Sequence, residues 1–274
     1  MKVYRALTIA GSDSGGGAGI QADLKTFQEL GAFGTSAITA VTAQNTIGVQ
    51  GVYPLGIDAI CQQIKSVGDD IGTDSVKTGM LFSAEIIKVV ATQVMHYNWG
   101  NLVVDPVMIA KGGATLLQQE AVEAMIRNLI PLSKVITPNI PEAEVLADMT
   151  ISDMEDRKKA AVKIKAMGTQ FVIIKGGHDE SDDVVTDLIY DGSEFEYLNS
   201  KRVKTLHTHG TGCTFSAAIA AELARGNEVL ESIKNAKMFI QAAIEDELGI
   251  GAGHGPTNHW AFQLRRRGES IVTK

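Results

Sequence analysis

Two cysteines, Cys61 and Cys213, are all that the sequence contains. They are too few for a disulfide framework and suit a reducing compartment, so the cytoplasm is the expected location. No apolar run approaches the roughly 20 residues of a membrane span, and the amino-terminal MKVYRALTIAG is too short in apolar residues for a secretory signal. An excess of positive charge is also missing: 32 acidic residues against 25 basic ones give a net charge of −7, which argues against nucleic-acid and anionic-membrane partners. No low-complexity tract, linker or internal repeat interrupts the chain. What remains is 274 residues, 45% hydrophobic, long enough to bury a large core in one or at most two domains.

Short β-branched runs alternate with longer amphipathic ones. Strands are expected at Ala6–Ala10, Ser36–Val41, Ser75–Thr78, Leu102–Val107, Val135–Thr137 and Phe171–Ile174, with helical patterns between most of them. Such alternation implies βαβ units, and continuous apolar strands such as Leu102-Val-Val104 suit a parallel sheet covered on both faces. The expected fold class is therefore a three-layer α/β/α arrangement with a mainly parallel central sheet. Val185–Tyr190 and Glu194–Leu198, separated by Asp191-Gly192, read as a hairpin, and long helices are expected at Gly212–Arg225 and Glu228–Glu247. Residues 1–260 are assigned to one domain and 261–274, with Arg265-Arg-Arg267, to a solvated basic tail.

The stretch GSDSGGGAG, Gly11 to Gly19, lies between a strand and a helix, where glycine loops often hold phosphate. The Walker pattern fails because Gly16 is followed by Gly17 and Ala18, with no lysine or hydroxyl. A dinucleotide fingerprint survives only as Gly17, Gly19 and Ala22. The next strand ends in Ala43-Gln44-Asn45, without the acid that binds a ribose. Asp13 would also set a carboxylate against any bound phosphate.

Ligands of open parallel sheets collect beyond the carboxyl ends of the strands. Asp105 follows one predicted strand and Glu142, in Thr137-Pro-Asn-Ile-Pro-Glu142, follows another. Paired acids at strand ends suit Mg²⁺, which takes oxygen ligands and keeps several waters. Singly, a turn cap and a first-turn helix carboxylate fit Asp105 and Glu142 equally well. The best anion site is His207-Thr-His-Gly-Thr-Gly-Cys-Thr214, whose glycines open a helix and whose loop lacks an acid. Cys213 at a helix amino end is expected to have a lowered pKa and to serve as base or nucleophile, although a small cysteine packed in a tight turn fits the same spacing. His207 and His209, two residues apart with no third ligand nearby, make a weak metal pair.

Taken together, Ala10–Thr26, Lys77-Thr-Gly-Met80, Asp105-Pro-Val-Met108, Thr137–Ala143, Lys175-Gly-Gly-His178, Thr208–Thr214 and Gly253-His-Gly-Pro-Thr-Asn-His259 resemble the hydroxymethylpyrimidine/phosphomethylpyrimidine kinases of thiamine biosynthesis, within the ribokinase superfamily. The resemblance runs from about Val3 to His259. It implies a ribokinase-like kinase domain, ATP and Mg²⁺ as cofactors, and phosphorylation of the hydroxymethyl group of a small-molecule substrate. Members of this branch often also phosphorylate the monophosphate. By the same resemblance, Asp105 and Glu142 serve the metal, and Asn139, Lys175, Asp187, Thr211 and Lys237 the nucleotide. Gly11, Asp23, Gln44, Met80 and Val107 surround the pyrimidine. Gly210, Gly212 and Cys213 form the anion hole and base, with cysteine where the wider superfamily has aspartate.

The Gln44 amide also suits an aminopyrimidine on chemical grounds, because it can pair with an amino donor beside a ring-nitrogen acceptor. A solvated loop amide fits the same position. Pyridoxine or pyridoxal kinases share nearly the same motifs and are the near alternative. A nicotinamide oxidoreductase lacks its ribose acid here, and a noncatalytic binding protein would not need both metal and anion elements. A homodimer is compatible with these features. Water exclusion calls for a covering segment, with Ala110–Ala114 and Gly177–Asp183 as candidates.

Overall fold

The computed structural model describes residues 2–108, 117–177 and 183–269. The proposed cover segment Ala110–Ala114 lies outside the described residues, as does all of Gly177–Asp183 except its two ends. The described residues form β1 (Tyr4–Asp13), α1 (Gly19–Glu29), β2 (Ala32–Asn45), β3 (Gly48–Pro54), α2 (Ile57–Ser66), β4 (Ser75–Thr78), α3 (Ala84–His96), β5 (Leu102–Val104), α4 (Gln119–Ala124), β6 (Val135–Ile136), α5 (Ile140–Ala147), α6 (Met154–Lys165), β7 (Phe171–Ile174), β8 (Val184–Tyr190), β9 (Phe195–Lys201), α7 (Thr211–Ala224), α8 (Val229–Glu245) and α9 (Ala261–Arg267).

One mixed sheet runs through them in the order β3-β2-β1-β4-β5-β6-β7-β8-β9. The strands from β2 to β7 pair in parallel, while β3, β8 and β9 add antiparallel edges. Alternate side chains of the central strands enter opposite layers. Leu7, Ile9, Leu102, Val104, Ile136, Val172 and Ile174 pack in a core with residues of α2 to α6. Ala6, Val103, Val135 and Ile173 pack with α1, α7 and α8. This two-sided burial is why Leu102-Val-Val104 carries no polar residue.

The expected parallel strands are all present, with β4 and β7 at their predicted bounds. The hairpin is also there, but its turn runs from Asp191 to Glu194, because Asp191 Oδ1 accepts from the amides of both Ser193 (2.7 Å) and Glu194 (2.8 Å). Strand β3 was not anticipated. Its two glycines and Pro54 break the apolar alternation, and only pairing with β2 makes it a strand.

Part of the segment assigned to a solvated tail is α9. Phe262 packs on Phe239 at 5.6 Å between ring centroids, and Arg265 reaches Glu245 at 2.7 Å and Asp246 at 2.6 Å. Burial of Ala261 and acids on the neighbouring helix hold the segment down, a long-range effect invisible in the local basic run.

Candidate active site

The chain places β2 on one side of β1 and β4 on the other, so the crossover direction reverses between β1 and β4. At the carboxyl ends of the strands lies a cavity of about 690 Å³, the place where open α/β sheets take ligands. Gly11, Gln44, Met80, Asp105, Val107, Asn139, Glu142, Lys175, Asp187, Gly210, Thr211, Gly212, Cys213 and Lys237 all line it. Asp23 does not. It is fully buried behind the wall, where Thr8 Oγ1 donates to it at 2.6 Å and Lys77 Nζ lies 2.8 Å from both carboxylate oxygens. Burial works against the Lys77 charge, but the Asp23 carboxylate outweighs it and holds the ammonium above the ordinary lysine range. Lys77 itself reaches the cavity.

Asp105 is 2% exposed and directly follows β5. Thr137 Oγ1 and Lys175 Nζ each donate to its Oδ1 at 3.2 Å, and Ser216 Oγ donates to Oδ2 at 3.3 Å. Lys175 is set beside Asn139 by a backbone bridge, its amide donating to Pro138 O at 2.9 Å. Asn139 caps α5 and forms a capping box with Glu142: Glu142 N donates to Asn139 Oδ1 at 2.9 Å, and Asn139 N donates to Glu142 Oε2 at 2.8 Å. The cap role and a place on the cavity thus coexist in one carboxylate. Burial pushes Glu142 up to about 7. Lys175 pulls it down, Asp105 pushes it up, and the amides of Asn139 and Met108 pull it down. Among the described residues no group of three His, Cys, Asp or Glu side chains is placed to hold a metal, so any ion here would rest on these two acids, water and a bound phosphate.

Gly210 starts α7 with φ of 81°, which glycine tolerates and which a side chain could not adopt here, since its Cβ would run into Gly17 O. The two glycine loops are therefore packed back to back. Thr211 N donates to Thr208 O at 3.3 Å and Thr214 N to Gly210 O at 2.8 Å. The amides of Gly212 and Cys213 lie in the first helical turn, where no carbonyl of the helix can accept from them. Both residues line the cavity, so these amides are placed where an anion could accept from them.

The expectation of a lowered Cys213 pKa is corrected. Burial pushes the thiol up to about 11, with Lys77 pulling down, Asp23 and Asp105 pushing up, and the Gly19 amide pulling down. Two carboxylates and poor hydration outweigh the helix end and one ammonium. The sequence could not reveal this, because both Asp23 and Asp105 arrive from distant elements.

The opening loop holds an anion after all, namely its own Asp13. The amides of Gly15 (2.8 Å), Gly17 (3.0 Å) and Ala18 (2.8 Å) donate to that carboxylate. His209 Nε2 lies 2.8 Å from Asp13 Oδ2 and 3.2 Å from the Gln44 amide. His209 is thus joined to the opening loop, not to His207 as half of a metal pair. Its backbone is held in turn by the late motif, through Gly255 O at 3.0 Å and Thr257 N at 3.3 Å. His259 from that motif meets Thr214 Oγ1 at 3.0 Å.

At the far end of the cavity Lys237 Nζ lies 2.7 Å from Asp187 Oδ2, and Gly176 N donates to Asp187 Oδ1 at 2.8 Å. Val185, Val203, Phe215, Ile240 and Ile244 add an apolar wall there. The sequence carries no local signal for that wall. It comes from β8, α7, α8 and the chain just after β9.

Comparison with known proteins agrees with this geometry. The family described as phosphomethylpyrimidine kinase matches residues 13–258. A hydroxymethylpyrimidine/phosphomethylpyrimidine kinase of Bacillus subtilis is 57% identical over 96% of this chain and 97% of its own. A pyridoxine kinase of the same organism is 45% identical over 97% of this chain and 100% of its own. An ADP complex of Bacillus subtilis pyridoxal kinase superposes with a TM-score of 0.90 at 45% identity, covering 96% of this chain and all of that one. A match over most of the chain and this degree of identity leave one conclusion: the chain belongs to the phosphomethylpyrimidine kinase family.

Proposed function

We propose that the chain transfers the γ-phosphoryl group of ATP to the hydroxymethyl oxygen of a hydroxymethylpyrimidine, and in a second round to the monophosphate so formed. One continuous cavity carries this reading: Gln44, Met80 and Val107 stand at one end, Asp187 and Lys237 at the other, with the anion turn and two buried carboxylates between. The relatives named hydroxymethylpyrimidine/phosphomethylpyrimidine kinase and the ADP bound to a structural neighbour support it.

Gln44 reads the amino-substituted edge of the ring, and Met80 and Val107 pack on its faces. The amides of Gly212 and Cys213 hold negative charge on the transferring group, helped by Lys175. The hydroxymethyl oxygen forms a bond to phosphorus as the bond to the bridging oxygen of ADP breaks. Cys213, as thiolate, takes the hydroxyl proton. Asp105 and Glu142 fit Mg²⁺: both offer oxygen, both are buried, and burial with the neighbouring Asp105 holds Glu142 up to about 7, so that a cation would favour its charged form. Bound there, the ion would neutralise phosphate charge. Such an enzyme belongs in a compartment that supplies ATP and keeps Cys61 and Cys213 reduced, namely the cytoplasm.

ADP release with ATP, Mg²⁺ and each alcohol tests the proposal. A higher kcat/KM for the aminopyrimidine alcohol than for pyridoxine is expected. No release above background with either alcohol would refute it, and a preference for pyridoxine would move the chain to the vitamin B6 branch.

A further inference from the structure

Asp13 and His209 take no part in the transfer as described, yet both line the cavity and their side chains are only 4% and 13% exposed. Burial pushes the Asp13 carboxyl up, but His209 and the amides of Ala18 and Gly15 outweigh that and hold it below the usual carboxylate range. It is an ionised, acceptor-only group. The His209 nitrogen 2.8 Å from it must therefore carry a hydrogen.

That hydrogen decides how the neighbouring amide is turned. As placed, the Gln44 nitrogen faces His209 Nε2 and its oxygen faces Thr42 Oγ1, each at 3.2 Å. Two N–H donors would then face each other. Thr42 Oγ1 also has a single hydrogen and a nearer acceptor, Ser12 O at 2.9 Å, so it offers Gln44 a lone pair and not a hydrogen. A half turn of the terminal amide, which exchanges two atoms of nearly equal size, satisfies both ends at once. His209 Nε2–H then bonds Asp13 and Gln44 Oε1, and Gln44 Nε2 donates to Thr42.

We propose that Asp13 and His209 are specificity-determining positioning residues, which lock the Gln44 amide with its oxygen toward His209 and its nitrogen toward Thr42. The inference rests on the reading of the cavity given above. The second lone pair of Oε1 accepts from an exocyclic amino group on the His209 side, and the second hydrogen of Nε2 goes to an adjacent ring nitrogen on the Thr42 side. An aminopyrimidine offers that pair in one order. A reversed amide would force the ring to turn over and carry its hydroxymethyl arm away from the transfer site. A pyridine alcohol without the amino group satisfies only one half of the amide. His209 is itself rigid, since its backbone is pinned to Gly255 and Thr257 and a Cβ on Gly17 would come within 2.6 Å of its Cδ2.

The tautomer is measurable without substrate. Long-range ¹H–¹⁵N correlation of the His209 imidazole in the full-length protein is expected to place a hydrogen on Nε2, and a neutral ring protonated only on Nδ1 overturns the proposal. The kinetic arm compares His209→Leu with His209→Gln, whose terminal amide nitrogen falls near the place of Nε2. In His209→Leu, kcat/KM for the aminopyrimidine alcohol is expected to fall about 10- to 100-fold, mainly through KM, the effect of leaving buried polar groups mismatched. The loss for pyridoxine is expected to be several-fold smaller, the KM for ATP to stay within about twofold, and His209→Gln to recover much of the discrimination. Equal losses for the two alcohols in a folded His209→Leu overturn it. Failure of the wild type to phosphorylate either alcohol would refute the reading of the cavity instead, and the tautomer would still decide the array.

Discussion

Cys213 is pulled two ways: the turn that makes it a candidate base also buries it beside two acids. With the thiol at about 11, little thiolate exists near neutrality, and the active fraction of a thiolate base rises tenfold per pH unit until that value is passed. Turnover is therefore expected to climb with pH through the range 7 to 9.5, and the climb should vanish in Cys213→Ala. The same variant is expected to lose about 10²-fold in turnover, the lower bound of general-base assistance, while keeping nucleotide affinity. Cys213→Asp should retain more activity than Cys213→Ala. A flat wild-type profile with a few-fold loss in Cys213→Ala would make the residue a packing group. At Glu142 the direction is the same but the range is lower. Burial holds that acid at about 7, so below this pH a proton competes with a cation, and the Mg²⁺ concentration for half activation is expected to rise as pH falls from 8 to 6. Glu142→Gln keeps an acceptor for the Asn139 amide, so the helix cap should survive while the metal requirement rises and turnover drops. Unchanged Mg²⁺ dependence in that variant would remove Glu142 from the metal site.

At the scale of elements, the site is built where loops from opposite ends of the chain touch. The β1–α1 loop folds its amides around Asp13 and leans on the α7 turn through Gly17 and Gly210. A methyl group at Gly210 meets Gly17 O and must also adopt a left-handed φ, so Gly210→Ala is expected to cost about 1–3 kcal/mol of stability. Because the Gly212 and Cys213 amides move with that turn, turnover should fall with it. Urea unfolding together with kinetics checks both, and a variant with wild-type midpoint and wild-type kcat would show that the two loops are not tightly coupled. Alanine-rich α7 is buried from Thr214 to Ala224 and lies against β1, β4 and β5, which makes its amino end a fixed point.

For the whole molecule, the segment around Gly255 to His259 ties the carboxyl-terminal region to α7. His259 is 5% exposed and burial holds its imidazole down to about 4. Its folded pKa lies below the ordinary value near 6.5, so its contribution is fully present above about pH 6.5. Below that the unfolded chain takes up the proton and the folded one does not, and stability declines until about pH 4. The full difference is roughly 3 kcal/mol. Urea midpoints at pH 7.5 and 4.5 are expected to separate more in the wild type than in His259→Gln. Equal separations would show that His259 is not the group lost to acid.

Much was legible from local chemistry. The short continuous apolar runs identified the parallel strands, because a strand buried on both faces must be apolar throughout, and the spacing of Asp105 and Glu142 after such strands placed both on the cavity. Gln44, the α7 glycines, Asn139, Lys175, Asp187, Thr211 and Lys237 fell on the same cavity. Besides helix α9, three features needed tertiary structure. Strand β3 exists only by pairing, because its own glycines and proline carry no alternation. Asp13 and His209 are 196 residues apart, and neither sequence neighbourhood hints at the other. The ionisation of Cys213 depends on how far Lys77, Asp23 and Asp105 stand from its sulfur and on how little water reaches it. The sequence determined most of the strands and helices, β3 and α9 excepted, and which side chains carry chemistry, since these follow from local periodicity and residue type. The tertiary structure alone decided protonation, amide orientation and edge pairing, because charge, hydration and hydrogen-bond partners come from groups that only folding brings together.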